Sequence, residues 1–126
     1  MAKKIVSSAM APKALGPYSH ANEAGGFVFV SGMLGIDPET MTLEETVEAQ
    51  ADRALRNLRA VLGEAGLGLE SVVKVTVFLT DIANFAKVNG VYGSYFTGNF
   101  PARSLVAVAG LPAGGEVEIE AVAFRG

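Results

Sequence analysis

Residues 42–80 read TLEETVEAQADRALRNLRAVLGEAGLGLESVVKVTVFLT, and two hydrophobic periods follow one another within them. In the first half Val47, Ala51, Ala54, Leu55, Leu58, Val61, Leu62 and Ala65 recur at helical spacing, with acidic and basic residues on the opposite side. Thr42 and Glu45 form a capping-box pattern, in which each side chain satisfies the other's free backbone N–H. Gly66 is placed to end the helix in a left-handed conformation. In the second half the period drops to two. Val72–Thr80 reads as a strand, with Val73, Val75, Val77 and Leu79 facing one way.

Upstream, a short strand is expected around Lys4–Ser7. Tyr18–Ala24 then leads through Gly25-Gly26 into Phe27–Gly32, a hairpin pattern because glycine tolerates the positive φ of a two-residue turn. Asp37-Pro38 marks a loop. Downstream, Thr80 or Asp81 can cap a second helix from about Asn84 to Phe96, with Phe85, Val88, Val91, Tyr92, Tyr95 and Phe96 as its buried stripe. Gly90 and Gly93 weaken that helix by ~1 kcal/mol each relative to alanine, so packing must hold it. Strands at Arg103–Ala109 and Val117–Arg125 flank the turn-rich Leu111–Gly115. The predicted order is β-β-β-α-β-α-β-β, an α+β fold with a mixed β-sheet and two helices packed on one face. Neither a repeat nor a linker interrupts it, so residues 1–126 read as a single domain.

Layer counting adds an expectation. In the last strand Ile119, Ala121 and Ala123 point one way while Val122 and Phe124 point the other. Two helices cover one face of a sheet, and strands apolar on both faces need a second cover. Another copy of the chain supplies it most simply, which predicts an oligomer.

Bulk properties narrow the function. Of 126 residues 50% are hydrophobic, enough for a packed interior, and the net charge is −3. A nucleic-acid binder needs a basic face to neutralise phosphates, and the lysines and arginines here are scattered. With no cysteine and one histidine, His20, there is no thiolate nucleophile, disulfide or multi-histidine metal site within one chain. The start carries Lys3 and Lys4, but Ser7, Ser8, Pro12 and Lys13 break its apolar run, so it does not read as a signal peptide. No stretch approaches the ~20 apolar residues of a membrane span, and a cytoplasmic location is expected.

Several residues could carry chemistry, each with a structural alternative. Glu120 shares a strand face with Glu118, Val122 and Phe124. Either it is a carboxyl made useful for proton transfer by apolar surroundings, or it is a solvated residue on an edge strand. Arg103, just after Phe100-Pro101-Ala102, is either an anchor for a carboxylate or phosphate, or half of an ion pair, with Glu120 itself as one partner. Ser31-Gly32 ends the hairpin strand, either letting backbone N–H groups approach a ligand or forming a bulge. Tyr18, after Gly16-Pro17, covers a pocket or is half-buried core. Asn89 lies on the second helix, where a solvated position is the ordinary reading, and His20 is given no role. No G-x-S-x-G elbow and no P-loop is present.

Taken in order, Gly16-Pro17-Tyr18-Ser19, Val30-Ser31-Gly32, Val75-Thr76-Val77-Phe78-Leu79 with Asp81, Phe85 and Asn89, and Pro101-Ala102-Arg103-Ser104 with Val106, Leu111 and Ile119-Glu120 resemble the RidA/YjgF family over nearly the whole chain. The resemblance implies a chorismate-mutase-like (bacillus type) fold and a homotrimer with pockets between subunits. It also implies hydrolysis of the enamine/imine intermediates 2-aminoacrylate and 2-aminocrotonate, released by pyridoxal-phosphate (PLP) dehydratases, to 2-keto acids and ammonia, with no cofactor or metal. By the same resemblance Arg103 binds the substrate carboxylate and Glu120 positions or activates the water. Tyr18, Ser31, Gly32, Asn89 and Leu105 line the pocket. Met33 stands where glutamine is frequent, and Leu105 where many members carry cysteine, which by the resemblance makes the pocket more apolar at Leu105.

Overall fold

The computed structural model describes residues 2–126; Met1, first residue of the expected 1–126 domain, lies outside the described residues. Eight elements form in the predicted order: β1 (Lys4–Val6), β2 (Ala21–Ala24), β3 (Phe27–Leu34), α1 (Val47–Glu64), β4 (Val72–Leu79), α2 (Phe85–Tyr95), β5 (Ala102–Ala107) and β6 (Val117–Phe124). The strands make one mixed sheet in the order β1-β2-β3-β6-β4-β5, in which only β4 and β5 run parallel. The β2–β3 hairpin turns at Gly25 and Gly26, whose φ values of 59° and 85° are the positive angles such a turn requires.

α1 lies across β3 and β6, with α2 beside it. Its Ala51, Ala54, Leu55, Leu58, Val61 and Leu62 are fully buried against Val28, Val75, Val77, Ile119 and Ala123 of the sheet. At its end Gly66 has φ 76°, and Leu67 and Gly66 donate to the carbonyls of Leu62 and Gly63, the paired bonds of a Schellman stop. Gly35 makes the close packing possible: a Cβ there would sit 2.4 Å from the Gln50 Cα.

Three local expectations are corrected. Thr42 and Glu45 do not cap α1. The chain from Ile36 to Leu43 is tied into its own turn by the Asp37 N–H bond to the Thr42 carbonyl, so the helix starts later, at Thr46, whose Oγ1 accepts from the Ala49 N–H at 3.1 Å. Val73 does not share the core face of β4. A register shift between Val72 and Lys74 against β6 turns it outward, which leaves it exposed. Phe85 stays largely exposed because the 3-10 turn Ile82–Asn84, capped by Asp81, brings the start of α2 to the surface.

The helices cover one face of the sheet only. Val28, Val30, Val75, Val77, Ile119, Ala121 and Ala123 face the helices and are buried. On the other face Phe27, Phe29 and Phe124 each keep 39–47% of their surface exposed, and the Phe27 and Phe124 rings touch with centroids 4.8 Å apart. No described element covers that face. No described helix is long and apolar enough to cross a membrane.

Candidate functional site

Strand register sorts the expected site residues into two groups. Glu120 pairs across β4 at Thr76, which pairs with Ser104 of β5, and Glu118 pairs with Phe78. Arg103 pairs with Val75, which pairs with Ala121. Directly opposite residues share a face and consecutive ones alternate. Arg103 therefore stands on the helix side of the sheet, and Glu118 and Glu120 on the uncovered side. An ion pair between Arg103 and Glu120 is ruled out within one chain.

The first group lines a cavity of about 550 Å³ between the uncovered end of the sheet and the segment before β2. Tyr18, Ser31, Gly32, Glu118 and Glu120 give it a polar side, while Met33, Leu34, Ile36 and Met41 make an apolar wall. Ser31-Gly32 is a bulge: the β3–β6 register shifts between Val30 and Met33, and the strand runs on to Leu34 instead of ending at Gly32. Ser31 Oγ donates to the Ser19 carbonyl at 2.6 Å. The bulge lets Glu118 fold onto the strand, since a Cβ on Gly32 would lie 2.7 Å from its carboxyl carbon. Burial, reinforced by the negative charge of Glu120, pushes the Glu118 carboxyl above the usual carboxylate range. Glu120, two residues on, is exposed.

The second group forms a smaller cavity of about 330 Å³ at the β5 end, with Asn89, Tyr92, Phe100, Pro101 and Arg103. Arg103 donates to Asn89 Oδ1 at 2.8 Å, and its guanidinium lies 4.7 Å above the Tyr92 ring, which stacks in turn on Phe96. Among the described residues no carboxylate lies within ion-pair distance of it. The guanidinium is thus oriented by a neutral amide and an aromatic face, with donors left for an anion. Burial pushes the Tyr92 phenol up, with Arg103 opposing. Leu105, expected in the pocket lining, packs partly buried against the core on the Arg103 face and lines neither cavity.

α2 is fixed to α1 by Tyr95, whose hydroxyl donates to Asp52 Oδ1 at 2.5 Å. Burial and that bond push the Tyr95 phenol up to about 12. Among the described residues no three His, Asp or Glu side chains converge as metal ligands would.

Sequence reasoning placed Glu118 only as a neighbour of Glu120 and Tyr92 only in a buried stripe. Alternation along β6 signalled that the two glutamates share a face. The cradle that buries one more than the other depends on the β3 bulge, which spacing does not reveal.

A family model described as Endoribonuclease L-PSP matches residues 8–125. The chain is 52% identical to Protein DfrA of Myxococcus xanthus over 126 residues, 98% of this chain and 96% of that one. It is 46% identical to the 2-iminobutanoate/2-iminopropanoate deaminase of Bos taurus, covering 100% of this chain and 93% of that one. The crystal structure of the Escherichia coli YjgF gene product superposes with a TM-score of 0.94 at 40% identity, covering 98% and 99% of the two chains. With a shared fold, matched end to end at these identities, the chain belongs to the RidA/YjgF family.

Proposed function

We propose that the chain is a 2-iminobutanoate/2-iminopropanoate deaminase, working in the cytoplasm as a homotrimer whose sites lie between subunits. The observation that carries this is the separation of the two halves of the site. Arg103 with Asn89 stands on one face of the sheet, and Glu118 and Glu120 with Tyr18, Ser31 and Gly32 on the other. The uncovered apolar face with Phe27, Phe29 and Phe124 gives a second copy a reason to dock. Docking can then bring one subunit's Arg103 to its neighbour's glutamates.

The chemistry asks for two things. The substrate, an imine beside a carboxylate, must be held so that its carbon faces a water, and protons must move between that water and the nitrogen. Arg103 offers a forked donor to the carboxylate and is already aimed by Asn89 and Tyr92. The water oxygen bonds to the imine carbon as the C=N π pair moves to nitrogen. A carboxylate takes one proton from the attacking water and gives it to nitrogen, forming the carbinolamine. It then takes the hydroxyl proton as the C=O bond forms and passes it to the leaving nitrogen as the C–N bond breaks, releasing ammonia and the 2-keto acid. Glu118 suits this proton exchange, being a half-buried carboxyl with an elevated pKa beside the Gly32 backbone. Glu120 contributes the adjacent charge and a second position for the water. Tyr18, Ser31 and Gly32 close the polar side around the reacting carbon.

The family model's description raises nuclease action as another reading, but the three arginines of α1, the one helix on which several cluster, already have partners. Arg53 contacts Asp37 and Glu44, Arg56 contacts Asp52, and Arg59 lies over Tyr95. The deciding experiment couples the protein to threonine dehydratase, which generates 2-aminocrotonate, and times the release of 2-ketobutyrate. Acceleration over the spontaneous rate supports the proposal. An unchanged rate with assembled protein refutes it. Sedimentation of the same preparation should give about 39 kDa, three copies of the 13.0 kDa chain.

A further inference from the structure

His20 is the only histidine, and none of the chemistry above uses it. It is buried immediately before β2, and both ring nitrogens are committed to one segment. The Ser8 N–H donates to Nδ1 at 3.0 Å, and Nε2 lies 2.7 Å from the Pro12 carbonyl. A carbonyl only accepts and a backbone N–H only donates, so the pair of bonds requires a neutral ring with its proton on Nε2. The segment from Ser8 to Ser19, which joins β1 to β2, is a strap without regular structure. Lys13, Leu15 and Tyr18 of this strap line the 550 Å³ cavity opposite Glu118 and Glu120.

We infer that His20 is a positioning residue: its neutral ring clips the strap that forms one wall of the substrate cavity, and its protonation releases that wall. The imidazolium carries N–H on both nitrogens, so Nδ1 then meets the Ser8 N–H donor to donor and the bond is lost. Charged groups at the same cavity are Lys13 on the strap and Glu118 and Glu120 on β6, together with the Tyr18 phenol. The strap's other end, Ser8 and Met10, lines an open pocket together with Arg53, Arg56 and Arg59 of α1. Two anchors remain when the ring lets go, the Ser31 N–H bond to the His20 carbonyl and the Ser31 hydroxyl bond to Ser19. Release thus frees the strap between Ser8 and Tyr18 and leaves β2 paired.

The kinetic part of this inference rests on the deaminase reading; the structural part does not. Nitrogen NMR of the single imidazole reads its tautomer directly, and hydrogen exchange reads protection of the Ser8 amide. At alkaline pH the ring should be the Nε2–H tautomer with a protected Ser8 amide. Where the NMR shows the ring protonated, Ser8 protection should be lower by roughly 5- to 150-fold, the equivalent of leaving one buried donor unpaired. His20→Gln offers an amide that accepts and donates at similar reach without titrating, so its Ser8 protection should be independent of pH. His20→Ala should leave Ser8 unprotected throughout. In the deaminase assay, KM of the parent protein should rise in step with loss of Ser8 protection, and His20→Gln should remove that rise. An Nδ1–H tautomer, Ser8 protection that ignores ring protonation, or the same acid rise of KM in His20→Gln overturns the inference. A protein that clips and unclips as described but hydrolyses no imine instead refutes the proposed function.

Discussion

If the two halves of the site meet only between subunits, two inactive variants should repair each other. Arg103→Ala alone removes the carboxylate anchor, and breaking such a charged pair costs ~2–5 kcal/mol, about 30-fold or more in kcat/KM. Glu118→Gln alone removes proton exchange, at ~10²–10⁴-fold in rate. In co-expressed mixed trimers, half of the Arg103 positions and half of the Glu118 positions are intact. In every trimer that contains both chains, a site taking one group from each of two neighbouring subunits is whole at about one of the three interfaces. Differently tagged Arg103→Ala and Glu118→Gln chains, purified through both tags and confirmed as trimers, should therefore show about a third of parent activity, against a background of at most about 3% from either variant alone. The companion mixture, parent chain with the double variant purified in the same way, should give about a sixth if the site is shared, and about a half if each chain holds its own site. Recovery at background in the first mixture with a half in the second would refute the shared site, and with it the role assigned to the opposite-face register of β5 and β6.

Glu118→Gln should reduce kcat far more than Glu120→Gln, because only Glu118 is folded against Gly32; equal losses measured under saturating substrate would contradict the assignment. Glu118 accepts a proton as carboxylate and its pKa is raised, so kcat should fall as pH drops through a value above the usual carboxylate range. Glu120→Gln removes one cause of the rise and should shift that limb to lower pH, read from kcat–pH profiles. Tyr95→Phe deletes the bond to Asp52 that ties α2 to α1, and should cost about 1–3 kcal/mol in denaturant unfolding. Gly35→Ala drives a Cβ into the Gln50 backbone, so α1 must shift, at about 1–3 kcal/mol or more by the same measurement.

The element order, the Gly25-Gly26 hairpin, the Gly66 stop and the two-sided apolar character of β6 were all legible in the sequence, because each depends on neighbours a few residues apart. Alternation alone also placed Glu118 and Glu120 on one face. Local signals failed where distant chain competes with them. Thr42 carries the right cap chemistry, but the Ile36–Leu43 turn claims its backbone first, and Thr46 caps instead. Val73 fits the strand's period, but a bulge against β6 turns it out. At the site, the residues alone left Arg103 as either a ligand anchor or an ion-pair partner of Glu120 on a neighbouring strand. The observed order puts β4 between β5 and β6, and the register sets the two side chains on opposite faces. His20, polar and unremarkable in an alternating segment, is buried by bonds reaching back 8 and 12 residues. Sequence by itself determined which residues exist to do chemistry and which way neighbours alternate. Tertiary structure decided which of them share a cavity, because strand register and bulges are set by the packing of the whole sheet, and no single strand contains that information.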